Sequence, residues 1–234
     1  MKYLILFDID GTLLKMKRGF AAPIFFDVIK NVLNFDLDDS IHIDFAGRTD
    51  YGIISHILKS VNADPALYNE YYEKIYLEIH KEFKEKLDDD SLYVLDGVRN
   101  LLKLLAANDS FILGIVTGNF RKNALLKLEN CGLDSYFKCG AYGDFSLNRK
   151  KLPLIAMEQS TQLCGFTPDS QKTLVIGDTH RDIESATYNN MKSMGVATGT
   201  YSYEELVKYN PDLIFENFSD YLSVYSSINK LFNI

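Results

Sequence analysis

Hydrophobic and polar positions alternate along this chain on two different length scales. Short apolar runs that stop abruptly occupy residues 2–7 (KYLILF), 111–116 (FILGIV), 173–176 (TLVI) and 193–197 (SMGVA), with weaker ones at 136–139 (YFKC) and 212–215 (DLIF). Runs of this length with no polar alternation predict strands covered on both faces, as in a parallel sheet. Between them lie stretches with helical spacing. Residues 96–107 open on an Asp and carry Val98, Leu101, Leu102 and Leu105 on one face. Residues 120–130, 153–164, 181–190 and 218–231 continue the rhythm.

From about residue 94 the order is strand, helix, strand, helix, which predicts an α/β fold with an open, doubly wound parallel sheet. Residues 17–92 break the rhythm. They hold amphipathic stretches at 21–34, 51–62 and 67–87 and no strong strand, so an all-helical cap inserted after the first strand is expected. The predicted division is a core of residues 1–16 and 93–234 and a cap of residues 17–92, closed by the acidic run Asp88–Asp90, read as a solvated linker.

Composition narrows the function classes. The 234 residues are 47% hydrophobic and 24% charged, with a net charge of −7. That is an ordinary globular composition without the clustered Lys and Arg of a nucleic-acid footprint. No stretch approaches the roughly 20 apolar residues of a membrane helix. Cys131, Cys139 and Cys164 have no metal-type spacing and read as free thiols. The expectation is a cytoplasmic protein that binds neither nucleic acid nor membrane.

The acidic groups of interest stand where strands stop, and in an open α/β sheet ligands bind outside the carboxyl ends of the strands. Asp8-Ile9-Asp10-Gly11-Thr12 follows the first run and puts two carboxylates on one side if strand geometry persists. The pattern lacks the further ligands of a calcium-binding EF-hand loop. Thr117-Gly118-Asn119 follows the run 111–116 and offers a hydroxyl and free amides, an oxyanion cradle or an ordinary turn. Arg149-Lys150-Lys151 precedes Pro153 at a predicted helix start. Gly177-Asp178 and Asp182 follow the run 173–176. Carboxylates gathered near Asp8 would repel unless a hard divalent cation such as Mg²⁺ neutralised them. Together these groups supply what phosphoryl transfer needs: a nucleophile, an acid, oxyanion donors, a cation and a metal site.

In this order and spacing, Asp8-x-Asp10-Gly11-Thr12, Thr117-Gly118-Asn119, the basic run 149–151 and Gly177-Asp178-x-x-x-Asp182 resemble the four motifs of the haloacid dehalogenase superfamily. The helical insertion, with Phe45-Ala46-Gly47-Arg48-Thr49-Asp50, is similar to the cap of its phosphoglycolate-phosphatase-like branch. The resemblance implies a Mg²⁺-dependent phosphatase acting on a small phosphorylated metabolite. Asp8 would be the nucleophile and Asp10 the general acid and base. Asp8, the Asp10 main-chain carbonyl, Asp178 and Asp182 would form the metal site. Thr117, Gly118 and Asn119 would hold the phosphoryl oxygens, and Arg149 would supply the cation, with Lys150 second and Lys151 third. Relatives usually have a Lys followed closely by Pro there; an Arg changes the hydrogen-bond geometry but not the charge.

Asp10 argues for phosphate chemistry over dehalogenation, because halide departure needs no acid. A phosphoglucomutase-like phosphotransferase has the same motifs and is the alternative. A receiver-like signalling module, also α/β with clustered Asp, Thr and Lys, is remote because its phosphorylated Asp follows a later strand. In the cap, Arg48 is the candidate to bind a carboxylate or second phosphate. Lys15, Lys17 and Arg18 follow the nucleophile loop and either line the entrance or, the favoured reading, are solvated, and His42, His56 and His80 read as scattered surface or helix residues.

Overall fold

A computed structural model describes residues 2–34, 46–88 and 90–234; His42, Phe45 and Asp89 fall outside them. The apolar run at the N-terminus forms β1 (Tyr3–Phe7), buried at every position. A tight turn over residues 9–14, closed by amides of Thr12, Leu13 and Leu14 on the Ile9 carbonyl, leads to a short strand β2 (Leu14–Met16). Three helices follow, α1 (Ala21–Leu33), α2 (Asp50–Ser60) and α3 (Tyr68–Lys86), and the chain returns as β3 (Leu92–Val94). β2 and β3 pair antiparallel. The helices therefore hang from a two-stranded ribbon, which sequence periodicity does not reveal because each strand has only three residues.

The remainder alternates as expected: α4 (Val98–Ala107), β4 (Phe111–Val116), α5 (Arg121–Asn130), β5 (Cys139–Ala141), α6 (Leu152–Cys164), β6 (Thr173–Gly177), α7 (His180–Tyr188), β7 (Lys192–Val196), α8 (Tyr203–Val207), β8 (Leu213–Phe215) and α9 (Tyr221–Phe232). Six strands form one sheet in the order β5-β4-β1-β6-β7-β8, all neighbours parallel. One expected strand is displaced. Asp134–Tyr136 is a turn of 3₁₀ helix, and pairing begins at Cys139, opposite Gly114. Tyr136 and Phe137 pack their rings against the core instead of joining the ladder.

Period-two geometry divides β1 between two layers. Tyr3, Ile5 and Phe7 face a core built with α4, α5 and α9, while Leu4 and Leu6 face the layer of α6. Burying such side chains contributes about 1.5–3 kcal/mol each. The three inserted helices have their own core around Ile29, Ile54, Ile79 and Phe83, and Phe120 at the start of α5 joins it. No helix among the described residues is long and apolar enough to cross a membrane.

Candidate active site

The carboxyl end of β1 is the centre of the site. Asp8 follows the last residue of that central strand, and its amide is held by the Ile176 carbonyl of β6 at 2.9 Å. Asp178 follows β6 on the neighbouring strand, and Asp182 lies in the first turn of α7. Carboxylate oxygens of Asp8, Asp178 and Asp182 lie within 4.8 Å of one another, and all three residues are buried. Thr12 Oγ1 donates to Asp178 Oδ1 at 3.3 Å. Gly11 has φ +83°, and a Cβ there would collide with the Asp178 carboxylate. The chain thus needs glycine at this turn both for its backbone and for the space it leaves.

Among the described residues a single cation faces these three acids from within the cluster. Arg149, 8% exposed, stands in a 3₁₀ turn that leads into α6. Its Nη2 donates to Asp8 Oδ1 at 3.1 Å and to Asp182 Oδ1 at 2.5 Å. Asp182 is also engaged from its other oxygen, which accepts from the Thr179 amide and hydroxyl in a capping box. Its carboxylate therefore orients Arg149 and the start of α7 at once. Lys150 is not brought to the cluster. Its Nζ pairs with Glu184 at 3.4 Å, half exposed, and lies over the Tyr188 ring, because the tight 3₁₀ turn sends consecutive side chains in different directions.

Burial and crowding set the protonation of the acids. Burial raises the Asp8 carboxyl to about 7, opposed by Arg149 and reinforced by Asp182 and Asp10. Asp178 is pushed well above the usual range by burial and then by Asp8 and Asp182. One guanidinium does not balance three carboxylates. Hard oxygen donors gathered this closely fit a divalent cation of the Mg²⁺ type.

Asp10 belongs to a different environment. Its side chain is 38% exposed and does not join the acidic cluster. Lys127 Nζ donates to Asp10 Oδ1 at 2.9 Å, to Asp10 Oδ2 at 2.7 Å and to Asn119 Oδ1 at 2.7 Å. Asn119 Nδ2 donates to Asp10 Oδ2 at 2.7 Å and to Thr117 Oγ1 at 2.8 Å. The Asn119 side chain is therefore a bridge between Thr117 and Asp10, and all three ammonium protons of Lys127 are used. Sequence reasoning missed Lys127. It is 3% exposed and lies one turn from Asn123 and three residues from Ala124 on the buried face of α5. A lysine on the apolar face of a helix was the available signal.

The inserted helices meet the core at this same edge. Gly118 lies under the Arg48 carbonyl so closely that a Cβ could not be placed, and the Asp50 amide donates to the Gly118 carbonyl at 2.7 Å. The Asp50 carboxylate accepts from the Phe120 amide at 2.7 Å. A cavity of about 790 Å³ lies between the two layers, bordered by Asp8, Asp10, Arg48, Thr117, Lys127 and Arg149 among others. Lys15 and Arg18 also border it, the less favoured of their two sequence readings. His180 lies between the rings of Tyr201 and Tyr209, each at 5.0 Å.

Burial raises the Asp50 carboxyl to about 7, only partly opposed by the Phe120 amide and Lys127. Its ordinary value is 3.8, so between those two values the folded chain binds more protons here than the unfolded chain. The stabilisation this group contributes is complete below the lower value and is lost as pH rises through the upper one. Asp50→Asn keeps an acceptor for the Phe120 amide and removes the buried charge. Urea unfolding of the metal-free protein is expected to show the variant gaining up to a few kcal/mol on wild type between pH 4 and pH 8. Parallel pH curves for the two proteins would refute the assignment.

Comparison with known proteins agrees with this architecture. The profile described as haloacid dehalogenase-like hydrolase matches residues 5–196. Pyrophosphatase PpaX of Bacillus pumilus is 26% identical over 222 residues, 94% of each chain. The PpaX of Anoxybacillus flavithermus is 35% identical over 114 residues, a stretch that spans 49% of this chain and 52% of that relative. Among solved structures, the β-phosphoglucomutase of Clostridium difficile superposes with a TM-score of 0.71 over the full length of both chains at 19% identity, a likeness of fold. The match covers both the first carboxylate loop and the strand that leads to Asp178, and the chain belongs to the haloacid dehalogenase-like hydrolase family.

Proposed function

We propose that this protein is a Mg²⁺-dependent phosphatase that hydrolyses a small phosphate monoester through an aspartyl-phosphate on Asp8. The observation that carries the reading is the separation of two neighbouring carboxylates into different environments. Asp8 faces Arg149 and the acidic cluster, whereas Asp10 faces Lys127 and Asn119. Two carboxylates with distinct surroundings suit two roles.

The Asp8 and Asp178 carboxylates and the Asp10 main-chain carbonyl would hold the Mg²⁺, with Asp182 behind them through Arg149. Bound there, the ion supplies charge neutralisation for the nucleophile and the phosphoryl oxygens. An Asp8 oxygen attacks phosphorus, the bond to the leaving oxygen breaks, and Asp10 gives that oxygen its proton. Asp10 then takes a proton from the water that attacks the aspartyl-phosphate, releasing phosphate and restoring Asp8. Thr117 and the amides beside it receive the phosphoryl oxygens, and Arg149 offsets their charge. Lys127 and Asn119 are positioning residues for Asp10. The PpaX relatives, named as pyrophosphatases, place inorganic pyrophosphate among the compounds to assay.

The same residues serve a second reading, phosphoryl transfer back to another hydroxyl of the substrate. The contacts of Asp50 with Gly118 and Phe120 favour it, because they hold the inserted helices against the edge of the site. Phosphate release from p-nitrophenyl phosphate and a metabolite panel, with Mg²⁺ and with EDTA, tests both. Turnover with Mg²⁺ and its loss in EDTA are expected. Isomerisation of a phosphorylated hexose without phosphate release would favour transfer.

A further inference from the structure

One polar side chain on the wall of the cavity is committed neither to the acidic cluster nor to Asp10. Asn123 lies on α5 one turn before Lys127, is 1% exposed and borders the cavity. Its Oδ1 is 2.9 Å from His80 Nδ1 of α3. An amide oxygen only accepts, so the imidazole donates in this bond. The Asn123 Nδ2 is buried and has no acceptor among the described residues. Buried donors are almost always satisfied, and one left over beside a ligand cavity marks a place where a ligand supplies the acceptor.

We infer that Asn123 is a specificity-determining residue that donates from Nδ2 to an oxygen on the leaving group of the substrate. This rests on the phosphatase reading and adds the class of leaving group: a compact one that carries an acceptor oxygen (hydroxyl, carboxylate or phosphate) in addition to the oxygen that leaves. The neighbourhood supports that class. Phe25, Ile53 and Phe83 of the inserted helices give the cavity apolar lining beside Asn123, so a polar donor there is matched by an oxygen on an otherwise compact ligand. A site built to donate a hydrogen bond rejects analogues without the acceptor, because its own buried donor is then stranded.

The test compares kcat/KM for glycerol 3-phosphate, 2-phosphoglycolate and pyrophosphate with that for ethyl and phenyl phosphate, in wild type, Asn123→Asp and His80→Phe. Asn123→Asp keeps an acceptor for His80 and removes the free donor. The ratio of oxygenated to acceptor-free substrates is expected to fall about ten-fold or more in Asn123→Asp, mainly through KM. It is expected to fall less in His80→Phe, where the amide loses its orientation. The oxygenated compound with the largest fall identifies which acceptor the site reads. A residue that only ties α3 to α5 would behave otherwise: Asn123→Asp would change every substrate by the same factor, and that result overturns the inference while leaving the phosphatase reading intact. Wild type that releases phosphate from none of the five compounds overturns both.

Discussion

Asp8→Asn is expected to lower kcat for p-nitrophenyl phosphate by roughly 10⁴-fold or more, the order seen when a covalent nucleophile is removed from a preorganised site. The amide has the shape of the carboxylate and leaves an oxygen for Arg149, which donates to Asp8 Oδ1 at 3.1 Å. Loss of fold would not account for the result, and the pH dependence makes the distinction testable. The Asp8 carboxyl is raised to about 7 by burial, so its ionisation in the folded, metal-free protein costs stability as pH rises through that value. The Asn variant should therefore unfold at equal or higher urea concentration than wild type at pH 8 while failing to turn over. A variant that keeps more than a tenth of wild-type kcat would show that another group attacks phosphorus.

Arg149→Met is expected to cost about 3–5 kcal/mol at pH 8, the range found when one partner of a buried ion pair is removed. The methionine roughly fills the stem of the side chain but leaves Asp8, Asp178 and Asp182 facing one another without the guanidinium that contacts two of them. The loss should shrink toward pH 5, where the crowded carboxylates take up protons. Lys150→Met is the control. Lys150 meets Glu184 at a half-exposed pair, so its removal should stay within about 0.5 kcal/mol. Urea unfolding with unchanged m-values reads both variants. Equal effects at the two positions would mean that the structure assigns the basic residue of this run wrongly.

The pair also shows where sequence reasoning stops. Counting back from the helix ranks Arg149 ahead of Lys150 and Lys151 but gives no direction for any of the three side chains, and the 3₁₀ turn separates them by direction. Arg149 enters a buried cluster while Lys150 reaches the surface. Asp8, Asp10 and Asp178 were legible because an apolar strand that ends in acid is a positional signal as well as a compositional one. Lys127 was not, because a lysine within a helix ordinarily lies in solvent and its partner, Asp10, is 117 residues away in the chain. The strand Cys139–Ala141 was sought three residues too early, where the larger rings of Tyr136 and Phe137 drew attention; those rings pack on the core beside a strand whose own side chains are small. The β2–β3 ribbon joins residues that no local pattern connects.

The position of β1 at the middle of the sheet has a kinetic consequence. Its two neighbours, β4 and β6, begin at Phe111 and Thr173. A ribosome adding about 5–20 residues per second makes β1 first and β6 many seconds later. Until β4 emerges YLILF is an unpaired, uncharged strand with both edges open, and its second edge stays open until β6 arrives; such a segment pairs with other chains when it is exposed. Loop closures of this span also slow folding of the complete chain. The strand that positions the two aspartates is therefore open to mispairing during synthesis for as long as its partners are missing.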